Sequence, residues 1–99
     1  MSMLKKQLFT VLQDHKDVIY DKYKVQSLSI FGSVARGSSK PDSDVDILVS
    51  YKETPGFFDF LNLKEYLENI LERRVDLVTE KALKKQLRKQ IMQEAERVA

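Results

Sequence analysis

The chain begins with apolar and charged residues at helical spacing. Over residues 3–22, apolar side chains recur every three or four positions with charges between them, which predicts an amphipathic helix. The apolar stripe of this helix contains Leu4, Leu8, Val11, Leu12, His15 and Ile19. His15 is the single histidine of the sequence, and with no nucleophile near it we interpret it as a histidine at the edge of the core.

Two further helices are predicted in the second half of the chain, over residues 57–71 and 80–98. The apolar stripe of the last helix is Leu83, Leu87, Ile91, Ala95 and Val98. Phe57 and Phe58 are interpreted as core residues of the earlier helix, with a partner interface as the alternative. The last helix also carries a basic run, which is typical of a solvated face, although contact with a partner or with phosphates would fit it too. The basic run consists of Lys81, Lys84, Lys85, Arg88 and Lys89.

Three segments have the composition of β-strands: residues 25–31, 44–51 and 74–79. Turn-forming residues are dense between the first two, at 37–43, and residues 33–36 could form a short helix before them. This order of elements predicts a single domain over the whole chain. We assign it to the α/β (α+β) class, as a three-stranded mixed sheet flanked by about four helices.

The amino-acid composition limits the possible chemistry of the protein more than it limits the possible folds. The 17 basic and 15 acidic residues give a net charge of +2, which argues against a dedicated nucleic-acid-binding protein. Because the sequence has no cysteine, disulfides, zinc ribbons and thiol catalysis are excluded. With one histidine, any metal site would need oxygen ligands, which suit magnesium, manganese or calcium. No apolar run is long enough to span a bilayer, so we expect a cytoplasmic protein without membrane contacts.

Asp44 and Asp46 lie two residues apart in the second predicted strand. Side chains alternate along a strand, so the two carboxylates would share one face, about 6–7 Å apart between their Cα atoms. Val45 and the following alternate residues would then point into the core. Two carboxylates on one face repel each other, and a shared divalent cation would relieve the repulsion. The alternative is that both are simply the solvent-exposed face of an edge strand.

Gly32 and Ser33 follow the first predicted strand directly. A glycine there lets the backbone turn sharply and approach a ligand closely, and the Ser33 hydroxyl with neighbouring N–H groups suits phosphate oxygens. Arg36, one helical turn later, could add a charge-assisted hydrogen bond to a phosphate. The alternative is an ordinary turn with an N-capping serine.

Asp76, in the third predicted strand, supplies a further acid. If this strand pairs beside the second, Asp76 reaches the first two carboxylates, and three carboxylates could hold two metal ions about 4 Å apart for phosphoryl chemistry. The alternative is an ion pair between Asp76 and a neighbouring arginine, Arg73 or Arg74.

With these residues in view, the chain resembles the nucleotidyltransferases of the polymerase-β superfamily. Within that superfamily it is similar to the minimal nucleotidyltransferase (MNT) antitoxins that are paired with HEPN-domain toxins. The resemblance covers essentially the whole chain. The matching segments are residues 32–37 (GSVARG), 43–49 (SDVDILV) and 74–78 (RVDLV).

The resemblance implies an enzyme that transfers AMP from ATP with the help of two Mg²⁺ ions. Asp44 and Asp46 would bind the metal ions, and Asp76 would complete the second metal site and help to deprotonate the acceptor. The residues implied in nucleotide binding are Gly32, Ser33, Arg36 and Ser43. The implied acceptor is a tyrosine hydroxyl of a HEPN ribonuclease toxin held in a hetero-oligomer, where added AMP would block RNA cleavage.

Two other functions are compatible with the same residues. The protein could neutralise a toxin by binding alone, although a binding module has no need of clustered acids. It could also transfer a nucleotide to a small molecule or to an RNA end. Against these substrates, 99 residues leave little room for the extra helical domain of the small-molecule enzymes, and a net charge of +2 is low for RNA.

Overall fold

The computed structural model describes residues 5–38, 40 and 43–98. Leu4 of the first predicted helix lies outside the described residues, as do positions 39, 41 and 42 of the predicted turn. The described residues form five α-helices: α1 (Lys5–Asp14), α2 (Lys16–Lys22), α3 (Gly32–Arg36), α4 (Phe57–Leu71) and α5 (Lys85–Glu94). A short 3-10 helix, Glu80–Ala82, precedes α5. No helix in this part of the chain is long and apolar enough to cross a membrane.

The prediction of one continuous helix over residues 3–22 is wrong, because the chain breaks at His15. The backbone of His15 has φ −104° and ψ 8°, and its Nδ1 lies 2.8 Å from the Val11 carbonyl oxygen. The His15 ring is half-buried and meets the Tyr66 ring edge-on, with the ring centres 6.1 Å apart. It is a boundary histidine, as predicted, and it separates α1 from α2.

In the described residues, four strands form one mixed sheet: β1 (Val25–Phe31), β2 (Val45–Tyr51), β3 (Val75–Thr79) and β4 (Glu96–Arg97). Their order is β3-β2-β1-β4, with β1 antiparallel to both β2 and β4 and with β2 parallel to β3. The mixed α/β (α+β) fold is therefore confirmed, and the three predicted strands agree with β1 to β3 to within one residue. The prediction of three strands is corrected to four.

The fourth strand was missed because the sequence there continues the helical pattern of α5. The predicted helix over 80–98 is wrong at both ends: α5 begins at Lys85, after the 3-10 helix, and ends at Glu94. The next residue, Ala95, is extended, with φ −66° and ψ 133°. The next residues pair with β1, and the Val98 N–H donates to the Leu28 carbonyl at 2.8 Å. This route buries the Val98 side chain to 6% exposure, whereas α5 itself has no fully buried residue. Sheet hydrogen bonds and apolar burial at the end of the chain outweigh one more turn of helix.

The two faces of β2 have different neighbours, and one of them carries the acid Asp46. Val45, Ile47 and Val49 are fully buried in the same core cluster as the leucines of α4, as the alternation predicts. Asp46 therefore lies on the opposite face of the sheet. The connection from β2 through α4 to β3 makes these two strands parallel, so their first residues lie at the same end of the sheet.

Replacing Val98 with Ala tests the packed end of the chain. We expect the free energy of unfolding to fall by about 1–2 kcal/mol, because a fully covered side chain loses two methyl groups. Leu87→Ala is the matched control, since Leu87 belongs to the same predicted stripe but is 50% exposed. It should cost less than about 0.5 kcal/mol in urea unfolding. An equal loss in both variants would contradict the burial of the Val98 side chain.

Candidate active site

Asp46 and Asp76 are direct neighbours in the parallel pair of strands. The register of β2 and β3 sets Asp46 opposite Asp76, and the two side chains share a hydrogen bond. Burial, and then the charges of Asp76 and Asp44, raise the pKa of Asp46 to about 6, while the Arg36 charge acts to lower it. The sheet therefore brings together two carboxylates that resist being charged at the same time.

Asp44 is not drawn into the same cluster. It lies just before β2, is exposed, and forms an ion pair with Arg74 in which Asp44 Oδ1 and Arg74 Nε are 3.3 Å apart. Across the described ranges, no three Asp, Glu or His side chains gather closely enough to hold a metal ion. The Arg74 pair is largely exposed to solvent and so contributes little energy, and Asp44 could exchange Arg74 for another partner at little cost.

The two arginines considered as ion-pair partners of Asp76 contact other groups. Arg74 pairs with Asp44. Arg73 Nη2 donates to the backbone carbonyls of Lys40 and Ser43, at 3.2 and 2.6 Å. Arg73 therefore ties the loop before β2 to the start of β3. Its position supports the two strand ends on which the acids lie.

Gly32 lies against the Asp46 carboxylate. It has φ +72°, and a methyl group on its Cα would overlap Asp46 Oδ2 and come within 2.9 Å of Asp46 Cγ. A side chain at position 32 would therefore displace the carboxylate, in addition to straining the backbone. The sequence predicted a close approach at this glycine, and the structure adds that the approaching group is Asp46.

The other predicted nucleotide-binding residues, Ser33, Arg36 and Ser43, differ in their contacts. Ser33 is the second residue of α3 and is half-buried, and Arg36 ends the same helix. Arg36 Nη1 donates to Glu94 Oε1 at 2.5 Å. Ser43 Oγ accepts the Lys40 N–H at 3.0 Å, and its hydroxyl therefore also stabilises the turn before β2. All three remain predicted nucleotide-binding residues.

A comparison with known proteins identifies the family. A sequence profile for polymerase beta nucleotidyltransferases matches residues 13–99. The chain belongs to this family. The protein adenylyltransferase MntA of Thermococcus cleftensis is 41% identical over 95 residues, which cover 95% of this chain and 96% of that protein. A candidate protein adenylyltransferase of Methanocaldococcus jannaschii is 48% identical over 73 residues, or 74% of this chain and 85% of that protein.

Solved structures agree with this assignment. The structure of a candidate minimal nucleotidyltransferase superposes with a TM-score of 0.81 at 35% identity, and the match covers 95% of each chain. A chain in the complex of a tri-AMPylated HEPN toxin with an MNT antitoxin from Shewanella oneidensis matches with a TM-score of 0.66. That match has 20% identity and covers 92% of this chain and 71% of that one, so it supports the fold alone. The protein is thus an enzyme of the nucleotidyltransferase class.

The donor set of this nucleotidyltransferase fits a divalent cation with oxygen ligands. Asp46 and Asp76 present carboxylates to each other, and burial, followed by the charges of Asp76 and Asp44, raises the pKa of Asp46. A cation between them would remove the repulsion that now favours a shared proton. Asp44 would join them by leaving Arg74, and that rearrangement costs little because the ion pair is exposed.

A cavity of about 620 Å³ lies at the other end of the nucleotidyltransferase sheet, where β2 and β3 end and α4 begins. Phe57 lines this cavity and is 72% exposed, and Phe58 is 75% exposed. The interpretation of both residues as helix core is therefore wrong. They occupy the first turn of α4, whereas the residues that pack on the sheet come later, at Leu63, Leu67 and Leu71. The basic run of the last helix is exposed, as predicted for a solvated face.

Proposed function

We propose that this nucleotidyltransferase transfers AMP from ATP to a tyrosine hydroxyl of a HEPN ribonuclease toxin and thereby acts as its antitoxin. The observation that carries the catalytic part is the Asp46–Asp76 pair beside Gly32, at one end of the parallel strands. The protein substrate is supported by the similarity to the Thermococcus cleftensis protein adenylyltransferase. The partner is supported by the shared fold with a chain from the complex of an AMPylated HEPN toxin and its MNT antitoxin.

In this proposal, Asp46 and Asp76 would hold two Mg²⁺ ions, with Asp44 as the further ligand in place of its ion pair with Arg74. Bound there, Mg²⁺ supplies positive charge that stabilises the developing negative charge on the transferring phosphoryl group. The Gly32 backbone and the Ser33 hydroxyl hold the β- and γ-phosphates. Arg36 adds a charge-assisted hydrogen bond to the same phosphates.

The chemical step is an in-line displacement at the α-phosphorus of ATP. The tyrosine oxygen of the acceptor forms a bond to the α-phosphorus, and the bond from that phosphorus to the pyrophosphate oxygen breaks. The Asp76 carboxylate accepts the hydroxyl proton. Asp76 is suited to this role because it is exposed on β3, the strand at the edge of the sheet, where a second protein can reach it.

The test is a labelling experiment with the purified chain, a HEPN toxin and Mg²⁺. ATP labelled at the α-phosphate should transfer label to the toxin, whereas ATP labelled at the γ-phosphate should not. The label should disappear when the acceptor tyrosine is changed to phenylalanine, and also in the Asp44→Asn/Asp46→Asn double variant. Transfer of the γ-label would indicate a kinase instead, and label on the toxin from the double variant would contradict the assigned acids.

Neutralisation by binding alone is a second candidate function. The observation that favours it is that Asp44 is paired with Arg74 and stays outside the acidic pair. The two functions differ in one measurement, which is toxin ribonuclease activity in the presence of the Asp44→Asn/Asp46→Asn variant. The catalytic proposal expects the RNA to be cleaved as by free toxin. Full protection of the RNA by this variant would favour binding alone.

A further inference from the structure

An ion pair between Arg36 and Glu94 connects α3, the helix next to the acids, to α5. Arg36 ends α3 and Glu94 ends α5, and Arg36 Nη1 lies 2.5 Å from Glu94 Oε1. The Arg36 side chain is 56% exposed, whereas Glu94 is 19% exposed. The carboxylate is thus largely covered by protein, and the guanidinium that it holds remains accessible to a ligand.

The residues that follow Glu94 are held to the rest of the domain by two sets of contacts. Beyond Glu94, the chain enters β4 and is held to β1 by the hydrogen bond from the Val98 N–H to the Leu28 carbonyl. Lys5 Nζ donates both to Glu96 Oε1, at 2.8 Å, and to the Ala35 carbonyl of α3, at 3.0 Å. Lys5 therefore ties the end of the chain to the residue next to Arg36. These contacts fix the backbone next to Glu94, so that its carboxylate restrains the long and flexible Arg36 side chain.

The held guanidinium belongs to the helix that contacts the acidic pair. Gly32, the first residue of α3, lies so close to Asp46 that a methyl group there would overlap Asp46 Oδ2, and Arg36 ends the same five-residue helix. The contact with Glu94 uses one of the five N–H donors of the guanidinium, whose planar fork can offer two others to phosphate oxygens. An arginine fixed in this way loses less freedom when it binds an anion than a freely rotating one does.

We propose that Glu94 is a positioning residue, which orients the Arg36 guanidinium toward the triphosphate of the bound nucleotide. This inference rests on the proposed nucleotide chemistry of the site and extends it to a residue 58 positions away in the sequence. Glu94 does not touch the nucleotide; it acts through Arg36. Its removal therefore weakens nucleotide binding and leaves the transfer step itself unchanged.

Calorimetric titration with an ATP analogue that cannot be cleaved between the α- and β-phosphates measures this binding directly. In Mg²⁺, Glu94→Ala should raise the Kd of the analogue about three- to tenfold, and in the transfer reaction KM for ATP should rise similarly with kcat unchanged. Glu94→Gln, which keeps a hydrogen-bond acceptor for Arg36, should show a smaller increase. In the Arg36→Ala background, Glu94→Ala should add nothing, because the group that it positions is gone.

Glu80→Ala is the matched control. It breaks the Arg88–Glu80 ion pair, which also involves α5, and Glu80 lines the cavity at the opposite end of the sheet from the acids, so the Kd should be unchanged. Wild-type affinity in Glu94→Ala, tighter binding, or an equal loss with and without Arg36 would overturn the inference. A wild-type protein that binds the analogue but labels no toxin would overturn the proposed function alone. A wild-type protein that binds no analogue would overturn both.

Discussion

Replacing Asp46 with Asn is expected to abolish AMP transfer while making the metal-free protein more stable at neutral pH. Transfer should fall by at least about 10³-fold, because a neutral amide cannot replace a metal-binding carboxylate in a phosphoryl-transfer site. Stability should rise because the ionised Asp46 carboxylate faces Asp76 and is partly buried. Activity and stability therefore change in opposite directions at one residue.

The direction of the pH dependence follows from the pKa of Asp46, which is raised from 3.8 to about 6 in the folded protein. A raised pKa means that the folded state holds this proton more tightly than the unfolded state does. The resulting stabilisation is complete below about pH 3.8 and is lost as the pH rises through about 6. In urea unfolding with EDTA, Asp46→Asn should gain about 1 kcal/mol over the wild type at pH 7.5, after allowance for solvent screening. The gain should vanish near pH 4.

Asp21→Asn controls for the loss of one negative charge, since Asp21 is exposed on α2. It should leave transfer unchanged, and its stability should follow that of the wild type across the pH range. Mg²⁺ should stabilise the wild type and the Asp21 variant more than the Asp46 variant, because a ligand stabilises the fold that binds it. If Asp46→Asn retained transfer within about tenfold of the wild type, Asp46 would have no essential role in the chemistry.

Gly32→Ala is the second change with a large expected effect. The left-handed backbone at position 32 should cost about 1–2 kcal/mol of stability once a side chain is present. The methyl group would also meet the Asp46 carboxylate, and this carboxylate must then move. Because a displacement of about 1 Å in a reacting group can cost about 10²-fold in rate, transfer should fall by at least that factor.

Gly37 offers a control with the same backbone conformation. Its φ is +74°, close to the +72° of Gly32, but a methyl group at Gly37 would meet nothing within 4 Å. Gly37→Ala should therefore lose about the same stability from backbone strain while keeping transfer within about threefold of the wild type. The comparison of thermal unfolding and label transfer in both variants separates strain from displacement. Equal losses of activity in the two variants would show that the contact with Asp46 is unimportant.

Local patterns in the sequence were sufficient for most of the elements. The bounds predicted for α4 and β1 match the structure, because a helical stripe and a strand alternation each depend on residues close in sequence. The same alternation placed Val45 and Ile47 in the core, and so put Asp46 on the opposite face. A glycine after β1 indicated a close approach, since no other residue tolerates positive φ at so little cost.

Contacts between distant segments were decided only by the tertiary structure. The pairing of Asp46 with Asp76 depends on the register of two strands joined through α4, and the sequence does not encode that register locally. Glu94 gave no sequence signal because its partner, Arg36, is 58 residues away. The end of the chain left its helical pattern because pairing with β1 and burial of Val98 became available only once the sheet had formed. Sequence periodicity thus determined which face of the sheet Asp46 and Asp76 occupy, and the packing of the strands and of α5 determined which groups meet Asp46, Asp76 and Arg36.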